Sequence, residues 1–294
     1  MIFVLNLTII FTPFINNLLA FMKDAPAITV VMAFFIAWLV CWLPIAAVSL
    51  KLLNWQPIKP LQPEQKLPLM ISLYLLAPLV LWGVIWLTNS SFANYGIVGN
   101  FALLSSLALG FGLGVLSIVI LFTCQLWLGW CYFKESNIKQ IASISLPILL
   151  IALLVGGIEE LVFRGFLLTE LERDYSVWVA GILSSLIFAV LHLVWEQRET
   201  LPQLPGLWLL GMMLVLARIS DRGNLGIAWG LHSALVWAIA TIDTAQLVTY
   251  TGKVSEWWTG KNKKPLAGVT GIICVLGTTL ILWLVCDSIS LILF

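Results

Sequence analysis

G-G-I-E-E-L-V-F-R-G-F-L-L-T-E-L-E-R, residues 156–173, sets two adjacent glutamates and an arginine into a stretch that otherwise reads as bilayer-spanning helix. A charge at the centre of a membrane costs about 3 kcal/mol or more. Whether this stretch lies in a membrane is decided by the rest of the chain. Of 294 residues, 61% are hydrophobic and 10% charged, with a mean hydropathy of +1.04, which leaves too little polar surface to coat a water-soluble globule. Apolar runs near residues 2–22, 28–50, 68–88, 100–124, 145–168, 178–195, 205–217, 225–247 and 266–286 reach or approach the ~20 residues a helix needs to cross about 30 Å of hydrocarbon. The fold class that follows is all-α, a polytopic transmembrane helix bundle with eight or nine membrane-spanning helices. Two runs leave the count open. The one at 205–217 is short enough to be tilted, re-entrant or cavity-lining, and 100–131 is long enough to end in an interfacial segment at residues 125–132.

The first run has no basic start and no small-residue cleavage pattern, and it carries Asn6, Pro13, Asn16 and Asn17, so it reads as an uncleaved membrane helix. A net charge of +1, with basic residues scattered through loops, gives no case for nucleic acid. Partners are expected in or at the lipid bilayer. Cys41, Cys124, Cys131, Cys274 and Cys286 show no C-x-x-C spacing and read as small apolar residues of a helix bundle. There is no internal repeat. The main break in composition is the Pro- and Lys-bearing loop at residues 50–68. Lysines gather at Lys51, Lys59 and Lys66, at Lys134 and Lys139, and at Lys253, Lys261, Lys263 and Lys264, whereas residues 89–100 carry no charge. The positive-inside rule then puts these basic loops and the N-terminus in the cytoplasm. The corners at residues 172–174 and 218–222, which mix both signs, fall on the opposite side.

With residues 145–171 on a helix, and Pro147 in its first turn where a missing N–H is harmless, Glu160 and Arg164 are four apart. That spacing pairs a carboxylate with a cation along one face. Glu159 is left over, about 100° around the helix, with Gly156 one turn earlier allowing close approach of a backbone or a substrate. The bland alternative is a pair of glutamates near the interface, solvated with Glu170, Glu172 and Arg173.

The chain's two histidines, His192 and His232, both fall in later apolar runs. Residues 178–195 form a helix antiparallel to the glutamate helix. Counting outwards from Tyr175, Glu159 is sixteen residues away and His192 seventeen, so the two lie at nearly one depth and can meet. Gly181, Ser185, Phe188 and His192 share a face whose small residues permit close packing. His232 shares its face with Ala228, Trp229, Leu235 and Val236. Two histidines and an unpaired carboxylate in facing apolar helices point to chemistry rather than to core packing. His192 and Glu196, also four apart, are expected to make an ordinary interfacial contact.

Three segments taken in order, E-E-x-x-x-R at Glu159, Glu160 and Arg164, F-x-x-x-H at Phe188 and His192, and a histidine in a later helix at His232, resemble the CAAX protease and bacteriocin-processing family. This family is also called Abi, and its eukaryotic relatives are the type II CAAX prenyl endopeptidases. The resemblance covers residues 140–250 as a catalytic core. It leaves 1–135 as N-terminal transmembrane helices without a recognised motif, and 251–294 as a cytoplasmic loop and a C-terminal transmembrane helix. It implies an intramembrane endopeptidase that hydrolyses a peptide bond of a membrane-associated protein or peptide. In that reading Glu159 and His192 hold and activate a water, Glu160 and Arg164 brace the site, and His232 helps to stabilise the oxyanion. The residues themselves agree on the first two roles, since a desolvated carboxylate suits a general base and a facing imidazole can orient the same water.

The family's third motif runs H-x-x-x-N or H-x-x-x-D, but four residues after His232 stands Val236. A missing oxyanion donor costs about 3 to 4 kcal/mol. Phe188, Ser233 and Trp237 are the remaining candidates for substrate or oxyanion support. A glutamate and two histidines are also a possible zinc set, yet there is no H-E-x-x-H, and the expectation is no metal and no cofactor. Two other readings stand beside the protease. One is a catalytically impaired relative acting as a membrane binding or assembly factor, as Val236 suggests. The other is a transporter or channel, against which stands the lack of repeat symmetry. The expected setting is multi-pass in a bacterial plasma membrane or another internal membrane.

Overall fold

The computed structural model describes residues 2–56, 59, 61–134 and 138–292, with the side chains of 2–11, 14, 63, 138–139 and 285–294 outside the described set. The side chains of Asn6, Lys139 and Cys286, and the boundary expected after residue 135, therefore fall outside it. The helices are α1 (Ile2–Asp24), α2 (Ala27–Leu52), α3 (Pro63–Thr88), α4 (Phe101–Trp127), α5 (Ile138–Glu160), α6 (Leu168–Leu171), α7 (Val177–Leu191), α8 (Gln197–Thr200), α9 (Leu204–Ser220), α10 (Gly226–Thr244), α11 (Glu256–Thr259) and α12 (Val269–Ile292). A π-helical segment, Leu161–Leu167, joins α5 to α6 without a break. The strands β1 (Cys131–Phe133) and β2 (Val248–Tyr250) pair antiparallel, Cys131 opposite Tyr250.

Seven helices among the described residues are long and apolar enough to cross a membrane: Ala27–Leu52, Glu64–Thr88, Phe101–Trp127, Gln140–Leu171, Val177–Val194, Gln197–Ser220 and Gly226–Thr244. The expected eight or nine is thus reached in part. The described part of α12, Val269–Leu284, is apolar but shorter. Large apolar side chains stand outward along these helices, among them Ile36, Val40, Leu79, Trp82, Trp86 and Leu116, each at least half exposed. Such a surface needs lipid around it, and the protein is an integral multi-pass membrane protein.

One local expectation is corrected, and two open ones are resolved. Pro147 lies in the interior of α5, because the helix begins at Ile138 rather than near residue 145. The run at 205–217 belongs to α9, which with α8 and the turn between them crosses the whole bundle and is more than half buried within it. Its short apolar stretch reflects packing against protein rather than lipid. Residues 125–132 end α4 and enter β1 at the lysine-bearing end.

Small residues set the tightest seams. A Cβ on Gly110 would come within 2.1 Å of Ile227 O, and one on Gly230 within 2.0 Å of Leu107 O, so α4 and α10 touch backbone to backbone. A Cβ on Gly156 would meet the Ser233 hydroxyl at 2.6 Å, bringing α5 against α10, and one on Gly211 would meet Ser185, bringing α9 against α7. The close approach expected at Gly156 and along the Ser185 face is therefore protein on protein.

The loops sort to two ends. At one end Lys66 pairs with Glu196 at 3.4 Å, Lys264 with Asp243 at 3.0 Å, and the β-ribbon joins the exits of α4 and α10. The expected clusters around Lys51, Lys66, Lys134, Lys253 and Lys261–Lys263 gather there. At the other end Asp174 accepts from Ala27 N at 2.6 Å, Arg173 donates to the Met22 and Lys23 carbonyls, and Leu225 N donates to Gly96 O.

Candidate active site

The glutamates occupy the last two positions of α5, where regular α-helix gives way to the π-helical turn. One extra residue per turn frees carbonyls from their usual partners and rotates the side chains that follow, which is why such turns recur at functional sites. Neighbouring side chains add donors to the carbonyls of this turn. Phe163 O accepts from Ser184 Oγ at 2.9 Å, and Arg164 O and Gly165 O accept from Arg218 Nη1, whose Nη2 reaches Thr169 Oγ1 at 2.8 Å. Arg218 is only 8% exposed. It lies in α9 as the clasp of this turn, not in the exposed corner that its neighbours Asp221 and Arg222 suggest.

Glu160 and Arg164 are both fully buried and paired, Nη1 to Oε1, at 3.0 Å. Arg164 Nη2 donates to Gly211 O at 3.2 Å, and its guanidinium lies over the Phe188 ring, 4.3 Å from the centroid. His232 Nδ1 stands 2.7 Å from the same Glu160 oxygen, and its Nε2 is 3.5 Å from Glu159 Oε2. Both ring nitrogens thus face carboxylate oxygens, which accept only. Both imidazole nitrogens find acceptors when each carries hydrogen, a form in which two carboxylates, one guanidinium and one imidazolium sum to zero charge, while Glu160 Oε2 and Arg164 Nε are buried without a hydrogen-bond partner. Glu159 Oε1 also accepts from the Tyr74 hydroxyl, across from α3.

Glu159 and His192 line one cavity of about 470 Å³, with Tyr74, Trp38 and Phe163 among its other walls and Lys66 and Glu196 at the lysine-bearing end. No hydrogen bond or ion pair among the described residues joins Glu159 to His192. His192 lies one residue past the end of α7, and its Nδ1 is 2.7 Å from Phe188 O. A carbonyl cannot donate, so Nδ1 carries the hydrogen and the neutral ring presents Nε2 as an acceptor. Glu196 turns to Lys66 rather than to His192.

His232 does not line this cavity. Together with His192, Phe188 and Val236 it lines a second, of about 180 Å³. Phe188 is fully buried between the two imidazoles, 4.5 Å from His192 and 5.8 Å from His232 by ring centroid. The candidate oxyanion donors are otherwise placed. Trp237 Nε1 donates to Ser145 O at 3.0 Å, and the Ser233 hydroxyl is buried against Gly156 without a hydrogen-bond partner. Among the described residues no three His, Cys, Asp or Glu side chains stand together in a metal-holding group.

Tyr74 and Arg218 are the site residues that motif reasoning passes over. Each leaves a faint signal, a lone hydroxyl or cation within an apolar run, but its partner lies tens of residues away.

The fold and these buried charges define a membrane helix bundle with an ionisable cluster bordering a cavity. Within it, residues 140–238 match the Rce1-like family, described as type II CAAX prenyl endopeptidase Rce1-like. The match spans the glutamates, both histidines and Val236. An Escherichia coli protein described as an uncharacterized 24.3 kDa protein is 33% identical over 89 residues, 30% of this chain and 40% of that protein. The chain thus spans about two fifths of that relative's length. No solved structure matches the chain.

Proposed function

We propose that the chain is an intramembrane endopeptidase of the CAAX protease and bacteriocin-processing kind, acting on a membrane-associated protein or peptide. The observation that carries this reading is the position of Glu159, at the wall of the 470 Å³ cavity beside His192 and backed by the buried Glu160–Arg164–His232 cluster. In the proposed reaction Glu159 removes a proton from a water in the cavity as that water attacks the scissile carbonyl carbon. The carbon–nitrogen bond breaks, and the proton passes to the departing amine. His192 Nε2 orients the water. Tyr74 and His232 hold the Glu159 carboxylate, and Arg164 holds Glu160. Trp38, Met70 and Phe163 offer the substrate an apolar wall. Because α2 and α3 supply Trp38 and Tyr74, the proposed catalytic core at 140–250 is completed by residues from 1–135. The proposed setting is a bacterial plasma membrane or another internal membrane, with the lysine-rich end in the cytoplasm.

A second reading, a membrane binding or assembly factor that has lost catalysis, is favoured by Val236. It sits in an apolar cavity, while Trp237 is committed elsewhere and both His232 nitrogens face glutamates. Cleavage of a panel of membrane peptides in liposomes separates the two. For the protease, Glu159→Gln lowers turnover by about 100-fold or more, and Val236→Asn preserves or raises it. Turnover that survives Glu159→Gln refutes the catalytic assignment. A panel uncut by both wild type and Val236→Asn favours the binding reading.

A further inference from the structure

The 180 Å³ cavity, whose lining does not include Glu159, is walled mainly by aliphatic side chains such as Leu207, Leu210 and Val275. Its polar lining comprises the imidazoles of His192 and His232 together with Gln203 and Lys264. Three of its wall residues, Ile239, Lys264 and Pro265, are also walls of a separate cavity of about 400 Å³ at the lysine-bearing end, whose lining is mostly polar. That outer cavity carries Lys134, Lys263 and Lys264 against Glu199 and Asp243. Of these only Lys264 and Asp243 are paired, so Lys134, Lys263 and Glu199 have no ion-pair partner among the described residues and the lining carries one positive charge in excess. Lys263 is fixed there by a tight loop in which Asn262 and Lys263 both have positive φ, 55° and 62°, a conformation seldom adopted by residues other than glycine.

We propose that these two cavities form one binding site for a single-chain amphiphile with an anionic head, a carboxylate or a phosphate. The tail enters between Ile239 and the stem of Lys264 and fills the inner cavity up to the two imidazoles. The head stays among Lys134, Lys263 and Lys264. The inner volume equals about six water- or methylene-sized units, so a tail of about ten carbons fills it and crosses the shared wall. A neutral head leaves the unpaired lysines unanswered, and a cationic head meets their repulsion. The inner cavity shares His192 with the proposed peptidase site, and its occupancy is read by binding alone, with no bond made or broken.

The test is saturable binding of decanoate and of decyl phosphate to the full chain in nanodiscs of zwitterionic lipid, with decanol and decyltrimethylammonium as matched tails. One decanoate or decyl phosphate per chain is expected, with decanol about tenfold weaker or worse and the cation not bound. Ile239→Trp, which blocks the shared wall, and the surface double variant Lys134→Gln/Lys263→Asn, which leaves the core untouched and keeps a residue tolerant of positive φ, each weaken binding about tenfold. Met70→Trp, in the other cavity, leaves it unchanged. Binding of decanol equal to that of decanoate, binding indifferent to the double variant, or uptake that never saturates overturns the proposal. If only one of the two anions binds, the head is identified as that group.

Discussion

Glu160 is fully buried against Arg164 and His232, and Glu159 is the glutamate of the pair that meets open space. The difference follows from their 100° separation on the helix, which turns one toward Arg164 and His232 and the other toward Tyr74 and the cavity. Removing one member of a fully buried ion pair leaves the other charge uncompensated, at about 3–5 kcal/mol. Arg164→Met is therefore expected to lower thermal stability in detergent steeply. Glu160→Gln/Arg164→Met is expected to recover much of the loss, giving a double-mutant coupling of about 1–3 kcal/mol; additive losses would count against the pair. Tyr74→Phe is expected to leave folding nearly intact while reducing turnover in any assay that Glu159→Gln abolishes. At this scale the sequence shows much. The Glu160–Arg164 spacing and the odd second glutamate are visible in residues 159–164 alone, because they depend only on helical periodicity. The Tyr74 contact is invisible there, since it requires α3 to lie against α5, 85 residues away.

The π-helical turn is the element that the sequence conceals most completely. Apolar periodicity marks a helix but does not register one extra residue in a turn, and Leu161–Leu167 would serve as regular helix by composition. Ser184 and Arg218 donate to its carbonyls from neighbouring helices, contacts that no local pattern announces. Arg218→Ala removes the side-chain donor to the Arg164 carbonyl and to Thr169 Oγ1, while Gly165 O keeps the Leu168 N–H. A buried group left unsatisfied costs about 1–3 kcal/mol, so destabilisation of that order is expected, with faster amide hydrogen exchange concentrated at residues 163–169. Loss of stability spread evenly over the chain would show that Arg218 serves the bundle at large. Pro147 teaches the same lesson at lower stakes. A proline near the start of an apolar run suggests a helix start, yet polar residues before it, Gln140 and Ser143, extend the helix toward the lysine-bearing end.

At the scale of the whole molecule, hydropathy and loop charge carry most of the organisation. The alternation of long helices puts the lysine clusters at one end, and the loop carrying residues 89–100 meets Leu225 at the other. Single cysteines introduced at Lys253 and at Ser91, in a background lacking the native cysteines, should label from opposite faces of the membrane, Lys253 from the cytoplasm. Labelling of both from one face would overturn the topology. Composition did not reveal that the cavity draws on α2 and α3 as well as the region matched at residues 140–238. No motif marks Trp38 or Tyr74, because their part in the cavity comes from placement rather than residue type.

The seam between α4 and α10 bears on how the chain enters the membrane. Of the seven candidate spans, α10 is the least apolar, and it carries both His232 and Asp243. It meets α4 through glycines that admit no side chain between the backbones. A weakly apolar segment emerging from the ribosome partitions poorly by itself, but α4, already inserted, offers it a protein surface in place of lipid. Backbone contact along Gly110 and Gly230 leads to the prediction that α4 escorts α10 during biogenesis. Gly230→Leu should then act early, yielding chains whose last segments fail to integrate and are degraded, whereas Leu104→Ala on the outward face of α4 should leave membrane insertion unchanged.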